Sequence, residues 1–93
     1  MPEISIEIWN ATDNVGIGQL TIRDAAKNAV LFDFNPTADV RVSLIKLLCA
    51  GVVELMESHR TSTANPAQAR NASIAITEIE GAQMRAVKSL FAK

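Results

Sequence analysis

The sequence has few of the residues on which covalent chemistry and metal binding depend. It contains one cysteine, Cys49, one histidine, His59, and no tyrosine. A single cysteine cannot form an intramolecular disulfide, and inside an apolar run it is best interpreted as a small core residue. His59 lies at the end of a predicted helix, where an imidazole offsets the helix dipole. Because the carboxylates are also scattered without metal-ligand spacing, we predict no catalytic residues, no bound metal, no cofactor and no enzymatic activity.

A strong charge of one sign and a long hydrophobic run are also missing. The formal net charge is −1, so the molecule as a whole does not attract nucleic acid. No apolar run reaches about 18 residues, and no signal-peptide pattern opens the sequence. We therefore expect a soluble, cytosolic protein without a membrane or a nucleic acid polymer as its partner.

The chain is rich in aliphatic residues. Hydrophobic residues make up 48% of its 93 residues, whereas aromatic residues make up 4%. A chain of this length forms one small domain, residues 1–93, with a marginally stabilising core. So much aliphatic surface in so short a chain predicts that part of it is buried against another copy. We expect a homo-oligomer.

Residues 1–34 have the pattern of a β segment. Short stretches of this segment are predicted as strands, and they are residues 3–9, 17–22 and 29–34. The first stretch alternates strictly between isoleucine and other residues, which is the period of a half-buried strand. Turn-forming residues separate the first stretch from the second. Together they predict a small antiparallel sheet.

A pair of glycines lies at the start of the second predicted strand. Gly16 and Gly18 indicate a bulge, or a backbone kept bare for close approach. The Gly-x-Gly pattern alone is a weak signal of a phosphate loop, because no capped helix follows at the required distance. We interpret the pair as structural.

An Asn-Pro pair precedes each of the two helical patterns. Proline at the first helical position behind an asparagine cap is a start signal for a helix. We therefore predict helices from Pro36 to about Ser58 and from Pro66 to about Phe91. The loop between them is short enough to fold the second helix back antiparallel to the first.

These patterns define one α+β domain. A small N-terminal antiparallel sheet (residues 1–34) is followed by an antiparallel αα-hairpin (residues 35–91) that oligomerises through its helices. The first helix is apolar on both sides, with Leu44 and Leu48 on the main side and small apolar residues around Lys46 on the other. A helix of this kind is usually buried on both sides. In so small a domain, we expect the side around Lys46 to belong to a partner subunit.

The second helix carries a narrow polar stripe beside its apolar side. The residues of this stripe, here called the polar ladder, are Arg70, Ser73, Thr77, Glu80, Met84 and Lys88. Their spacing of three or four residues is that of a packing seam, but a polar seam is a poor core and suits a polar ligand held between helices. Arg70, Thr77 and Lys88 present a guanidinium, a hydroxyl and an ammonium in one line, which favours phosphate oxygens.

Further candidate ligand contacts lie elsewhere in the chain. Lys46 emerges from apolar surroundings, where a lysine either extends to water or binds an anion. Trp9 offers a stacking surface for a base. Phe32 and Phe34 offer the same, although core packing is the more common role of phenylalanine.

These residues resemble a known family. The matching runs are Phe34-Asn-Pro36, Val42-x-x-Ile45-Lys46 and the ladder Arg70, Thr77, Glu80, Met84 and Lys88. They resemble the helical-hairpin domain of phage anti-defence sponges, the anti-CBASS and anti-Thoeris proteins, over roughly residues 34 to 91. The N-terminal β segment resembles the anti-Thoeris branch more than the mostly helical anti-CBASS branch.

The resemblance implies a homo-oligomer, a dimer or a hexamer, that works in the host cytoplasm. It implies that cyclic dinucleotides, cyclic trinucleotides or cyclic ADP-ribose isomers are bound between subunits without turnover. The candidate ligand-binding residues are Lys46, Arg70, Thr77, Met84, Lys88, Trp9, Phe34 and Asn35. The aromatic residue that often follows the family's methionine is absent here, because Arg85-Ala-Val follows Met84. The sequence therefore leaves open which base is stacked.

We predict a phage protein that sequesters cyclic nucleotide immune signals and so inhibits host anti-phage defence. The alternative is a small structural or regulatory homo-oligomer without a nucleotide ligand. A third possibility, a DNA-binding hairpin, is disfavoured by the slight excess of negative charge.

Overall fold

The computed structural model describes residues 4–10, 15–33 and 35–92. Within these residues the chain is mostly helical, and its elements are β1 (Ile4–Asn10), β2 (Val15–Ile22), α1 (Asp24–Ala29), α2 (Val40–Ser62) and α3 (Pro66–Ser89). The helices α2 and α3 are long, and they pack against each other antiparallel across the short loop of residues 63–65. The predicted helical hairpin is confirmed.

β1 and β2 pair antiparallel and form a two-stranded sheet. Their register shifts between Ile8, which faces Gly18, and Trp9, which faces Gly16. Ile17 is therefore an extra residue in β2, and an extra residue of this kind bends a strand and increases its twist. The irregularity lies where the glycine pair indicates a bulge.

The prediction of a third strand at residues 29–34 is wrong. The chain here forms the end of α1 and a turn through residues 30–33. Ala26, Lys27 and Val30 are at most 2% exposed, and this spacing places all three on the inner side of a helix.

α2 begins at Val40 and not at the predicted Pro36. Ala38 has a φ of 57°, a left-handed conformation that cannot continue a right-handed helix. Asp39 is the actual N-cap, and its Oδ1 accepts a hydrogen bond of 2.8 Å from the backbone N–H of Arg41. The first Asn-Pro pair therefore precedes a loop.

The second Asn-Pro pair does begin a helix, as predicted. The Oδ1 atom of Asn65 accepts hydrogen bonds from the backbone N–H groups of Ala67 at 2.9 Å and Gln68 at 3.3 Å. The preceding helix α2 continues to Ser62, one turn beyond the predicted end at Ser58. The loop that reverses the chain is correspondingly shorter than predicted.

The two apolar sides of α2 differ in burial. On the side that carries Lys46, Val42, Ala50 and Val53 are at most 2% exposed. Ala50 and Val53 pack in the core with Ile22 of β2 and with α1. The expectation that a partner subunit covers this side is therefore wrong, because the chain's own core covers it. The other side, which carries the leucines, is the one left exposed.

The apolar side predicted for the second helix is confirmed on α3. Ala72 is 2% exposed, and Ile76 and Ile79 pack against the core cluster. Cys49 of α2 also packs against this cluster, and burial raises the pKa of its thiol. Cys49 therefore has the structural role that the sequence predicts.

Replacing the cap of α3 should lower stability by a modest amount. Asn65→Ala removes the acceptor of two backbone N–H groups, and a loss of about 1 kcal/mol in the free energy of unfolding is expected. Asn71→Ala is the matched control, because Asn71 is exposed within the same helix and alanine has the better helix propensity there. Urea denaturation measures both. Equal stability of the two variants would contradict the capping role.

Candidate ligand-binding surface

The polar ladder lies on the outer surface of α3. Arg70, Ser73, Thr77 and Lys88 are exposed, and Met84 is 60% exposed. None of these side chains is buried in the core of the chain. Cationic and hydroxyl groups are therefore presented to solvent in one row, where an anionic ligand can reach them.

The ladder is too long to serve one small ligand as a whole. An α-helix rises 1.5 Å per residue, so Arg70 and Lys88 are about 27 Å apart along α3, whereas Arg70 and Thr77 are about 10 Å apart. The structure therefore does not bring the predicted trio of Arg70, Thr77 and Lys88 together. It divides the ladder into an N-terminal part, with Arg70 and Thr77, and a C-terminal part, with Met84 and Lys88.

The C-terminal part is concave. Gly81, Met84, Arg85 and Lys88 line a shallow cavity of about 230 Å³. At Gly81 the backbone is open, because an added Cβ would meet nothing within 4 Å. The cavity offers cations beside a polarisable thioether, a combination that suits a phosphate joined to a nucleobase. Ligand pockets usually reach about 300–1,000 Å³, so this cavity is smaller than most of them.

The N-terminal part has hydroxyl groups already bonded to the helix. Thr77 Oγ1 donates to the Ser73 carbonyl at 3.3 Å, and Ser73 Oγ donates to the Ala69 carbonyl at 3.2 Å. Each hydroxyl still has an oxygen that accepts, but it has to rotate before it donates to a phosphate. Arg70 is the group in this part that carries a permanent charge.

Lys46 is not part of this exposed surface. It is 4% exposed, and its Nζ donates a hydrogen bond of 2.9 Å to the backbone carbonyl of Leu31. Burial lowers the pKa of its ammonium group. In the conformation described, Lys46 ties α2 to the turn at residues 30–33, and a ligand reaches its Nζ only if that contact changes.

Asn35 is engaged in the loop before α2. Its Nδ2 donates to the Asp39 carbonyl and to Ser43 Oγ, both at 3.0 Å, while its Oδ1 accepts from Thr37 Oγ1 at 2.8 Å. These bonds hold the loop in place at the start of α2. The other predicted contacts, Phe34 and the side chain of Trp9, lie outside the described residues.

Sequence reasoning missed an ion pair that joins the N-terminal segment to the hairpin. Glu54 of α2, whose side chain is 6% exposed, accepts from the Arg23 backbone N–H at 2.8 Å, from Nε at 3.0 Å and from Nη2 at 2.9 Å. Hydrogen bonds from the Arg23 guanidinium lower the pKa of the Glu54 carboxyl, although burial opposes them. The two residues are 31 positions apart, so no local pattern reveals them.

Sequence reasoning also did not show which apolar side of α2 stays uncovered. A row of exposed apolar residues runs along this helix and is called the α2 stripe: Val40, Leu44, Leu48, Val52 and Leu55. They are between 39% and 67% exposed and lie within an arc of about 120°. The α2 stripe is therefore a row of apolar side chains that the described part of the chain leaves exposed.

Residues 4–10, 15–33 and 35–92 contain no cluster of His, Cys, Asp and Glu side chains able to hold a metal ion. In the described part of the chain, no helix combines the length and the apolar character needed to span a membrane.

The two long antiparallel helices form a helical-hairpin domain, and comparison with known families identifies it. The chain belongs to the Acb2/Tad1 family: the family model described as "Acb2/Tad1, hairpin domain" matches residues 24–91. The predicted resemblance to anti-CBASS and anti-Thoeris sponges is confirmed, and the match also includes α1. No curated protein and no solved structure matches the chain.

Membership of this family implies an anti-defence role in which cyclic nucleotides are sequestered. The family is one of binding proteins and not of catalysts. The polar ladder lies wholly within the matched residues, so the surface described above is part of the family's own domain.

Proposed function

We propose that this protein sequesters a cyclic nucleotide immune signal in the host cytoplasm and thereby inhibits anti-phage defence. The observation that supports this proposal is the exposed polar ladder on α3, where cations and hydroxyls lie on the surface of a domain matched to the Acb2/Tad1 family. The ligands are cyclic ADP-ribose isomers or cyclic di- or trinucleotides. The protein releases its ligand chemically unchanged.

The two parts of the ladder contribute separately to this function. Met84 and Lys88, with Arg85, form one contact surface, and Arg70 with Thr77 forms another. Guanidinium and ammonium groups bind phosphate oxygens through charge-assisted hydrogen bonds, and arginine does so with two donors at once. Each part therefore suits a phosphate of its own. The two phosphates belong to different ligands, or they are bound at different ends of a larger assembly of subunits.

A second copy of the chain completes the site in this proposal. The α2 stripe is nearly symmetric about Leu48, with Leu44 and Val52 one turn away on either side. An antiparallel pair of α2 helices with a two-fold axis at Leu48 buries the stripe of both copies.

Removing one cation from each part of the ladder should weaken binding. Arg70→Ala and Lys88→Ala each remove charge-assisted hydrogen bonds to phosphate, and we expect a loss of about 1.5–3 kcal/mol in the binding free energy of whichever ligand that part holds. Calorimetric titration with cyclic GMP–AMP, cyclic tri-AMP and cyclic ADP-ribose measures the change.

Arg60→Ala is the control for this test. Arg60 is an exposed cation on α2 that pairs with Glu57 at 2.6 Å, and it is not a member of the ladder on α3. Its removal changes the net charge by the same amount and should leave affinity nearly unchanged. Equal weakening of Arg60→Ala, Arg70→Ala and Lys88→Ala would show that attraction is diffuse and that the ladder is not the site.

The α2 stripe also favours a second candidate function, that of a structural or regulatory homo-oligomer without a ligand. A thermal-shift screen with the same three nucleotides separates the two functions. A ligand at 100 times its dissociation constant adds about 2.7 kcal/mol of stability. Stabilisation by at least one nucleotide supports sequestration, and no response to any of them supports the structural function.

A further inference from the structure

Gly81 lies inside α3 at a position where the described chain does not require a glycine. The helix runs from Pro66 to Ser89, and no described glycine has a positive φ. An added Cβ at Gly81 would meet nothing within 4 Å, and the residue is exposed, whereas Gly51 of α2 is buried. A glycine inside a helix is less favourable than an alanine, because it loses more conformational freedom on folding. A group that approaches α3 from outside the chain accounts for the glycine, because it needs bare backbone.

The open backbone at Gly81 forms part of the shallow cavity of about 230 Å³ that Met84, Arg85 and Lys88 also line. Met84 and Arg85 follow Gly81 by one turn, so they lie on the same side of α3. Side chains on a helix lean towards its N-terminus, and these two therefore lean over the position where Gly81 has no side chain. The missing side chain leaves a gap beside the helix, bounded by a thioether and a guanidinium.

We propose that a nucleobase of the bound nucleotide lies in this gap, against the α3 backbone at Gly81. Arg85 stacks on the base, Met84 contacts its edge, and Lys88 binds the phosphate of the same nucleotide. This inference rests on the proposed function, because it assigns the parts of that ligand to the parts of the cavity. Gly81 is then the residue that decides whether a base is admitted.

The three side chains around the gap suit these contacts. A guanidinium is planar and stacks on the faces of bases, and a thioether makes favourable contacts with aromatic rings. Within residues 4–10, 15–33 and 35–92, neither Arg85 nor Lys88 forms an ion pair, so both cations remain available to a ligand. Arg85 and Lys88 are about 4.5 Å apart along the helix axis, so a base on one and a phosphate on the other belong to one nucleotide.

A helix of a second copy is a poorer occupant of the same gap. Close approach of two helices requires small residues one turn apart on the facing side. The positions one turn from Gly81 are occupied by Thr77, Glu78, Met84 and Arg85. Three of these four have long side chains, which keep a second helix away from the backbone. A flat ring needs only the space that one missing side chain leaves.

Filling the gap should weaken binding and stabilise the helix. Gly81→Leu places a side chain where the base lies, and we expect at least a tenfold loss of affinity for a nucleotide that the wild-type protein binds. Gly81→Ala fills less of the gap, so its loss should be smaller, while its thermal midpoint without ligand should rise by about 4–8 °C. Calorimetric titration with cyclic GMP–AMP, cyclic tri-AMP and cyclic ADP-ribose measures affinity, and circular dichroism measures the midpoint.

Ala82→Leu is the matched control. Ala82 is exposed next to Gly81 and is not one of the residues that line the cavity, so affinity should change less than twofold. If a nucleotide binds the wild-type protein and Gly81→Leu loses no more affinity than Ala82→Leu, the base contact is wrong and sequestration stands. A smaller sedimentation coefficient for Gly81→Leu than for the wild type would show that a second copy covers Gly81, and would also overturn the base contact. If none of the three nucleotides binds the wild-type protein, both proposals are overturned.

Arg85→Lys separates stacking from charge. Lysine keeps the positive charge but has no planar group to lay on a base. We expect the affinity for the same nucleotide to fall about fivefold or more, which is the lower end of the loss on removing a stacking partner of a base. Wild-type affinity in Arg85→Lys would show that Arg85 acts through its charge alone, and would overturn its stacking on the base.

Discussion

Leu48→Glu should convert the proposed dimer into a monomer. Leu48 is 63% exposed at the centre of the α2 stripe, and the two-fold axis proposed above would bring the two copies of this residue together. The substitution removes two buried leucines, each worth about 1.5–3 kcal/mol when fully buried, and places two carboxylates side by side. We therefore expect the association free energy to fall by about 3–6 kcal/mol. Sedimentation velocity at micromolar concentration measures the loss.

Thr61→Glu is the control for the dimer interface. Thr61 is exposed on the same helix but lies beyond the last residue of the α2 stripe, so the substitution adds an equal charge without removing apolar surface. It should leave the dimer intact. Sedimentation of the wild-type protein as a single 10.0 kDa species would contradict the interface altogether. A Leu48→Glu protein that remains dimeric would show that the copies associate through another surface.

The helices show how far a local start signal can be trusted. The same Asn-Pro pair occurs at Asn35 and at Asn65, and both were predicted to begin a helix. Asn65 does cap α3, because its Oδ1 is free to accept from the first turn. The amide of Asn35 instead bonds to Ser43, and Ala38 adopts a left-handed conformation before α2 begins. The local signal is identical at the two positions, and tertiary contacts determine whether a helix begins there.

The segment before the hairpin shows why alternation can mislead in a short apolar run. Residues 29–34 alternate well enough to predict a strand, yet α1 and a turn occupy this region. A strand of that kind would need a partner on the sheet, whereas Ala26 and Val30 already pack against α2 through helical spacing. Burial against a helix depends on residues far away in the sequence, so a pattern of six residues cannot predict it.

The exposed ladder was predictable, and the contacts of Lys46 were not. Helical periodicity places Arg70 and Thr77 on one side of α3 whatever the rest of the chain does. Lys46 donates a hydrogen bond to the carbonyl of Leu31, and a residue pattern cannot predict a bond to a backbone group. The pairing of Arg23 with Glu54 is likewise a product of the packed fold. Periodicity therefore predicts which face a residue occupies, and the fold decides what it meets there.

Glu54→Ala should destabilise the protein by about 2–4 kcal/mol, because it removes the nearly buried acceptor of several hydrogen bonds from Arg23. This loss is smaller than the loss for a fully buried pair, because the Arg23 side chain is 67% exposed and its guanidinium is hydrated once Glu54 is removed. Glu57→Ala is the matched control: it removes the same residue type one turn further along α2, from an exposed pair with Arg60. A loss of about 0–1 kcal/mol is expected there.

The pH dependence of stability identifies the charge of Glu54 as the cause. The Arg23 guanidinium holds the pKa of this carboxyl below its usual value in the folded state, so the carboxylate stabilises the fold above the ordinary glutamate pKa. That contribution is lost as the pH falls through the lowered pKa and the folded state takes up a proton. Hydrogen bonds from Arg41 also lower the pKa of the Asp39 carboxyl. The contribution of Glu54 is therefore isolated by comparing the wild-type protein with a Glu54 variant that keeps Asp39. Urea denaturation from pH 7 down to about pH 3 should therefore show the wild-type and Glu54→Gln curves converging as the solution becomes acidic. A constant difference between the two curves would mean that Glu54 acts through its shape and not through its charge.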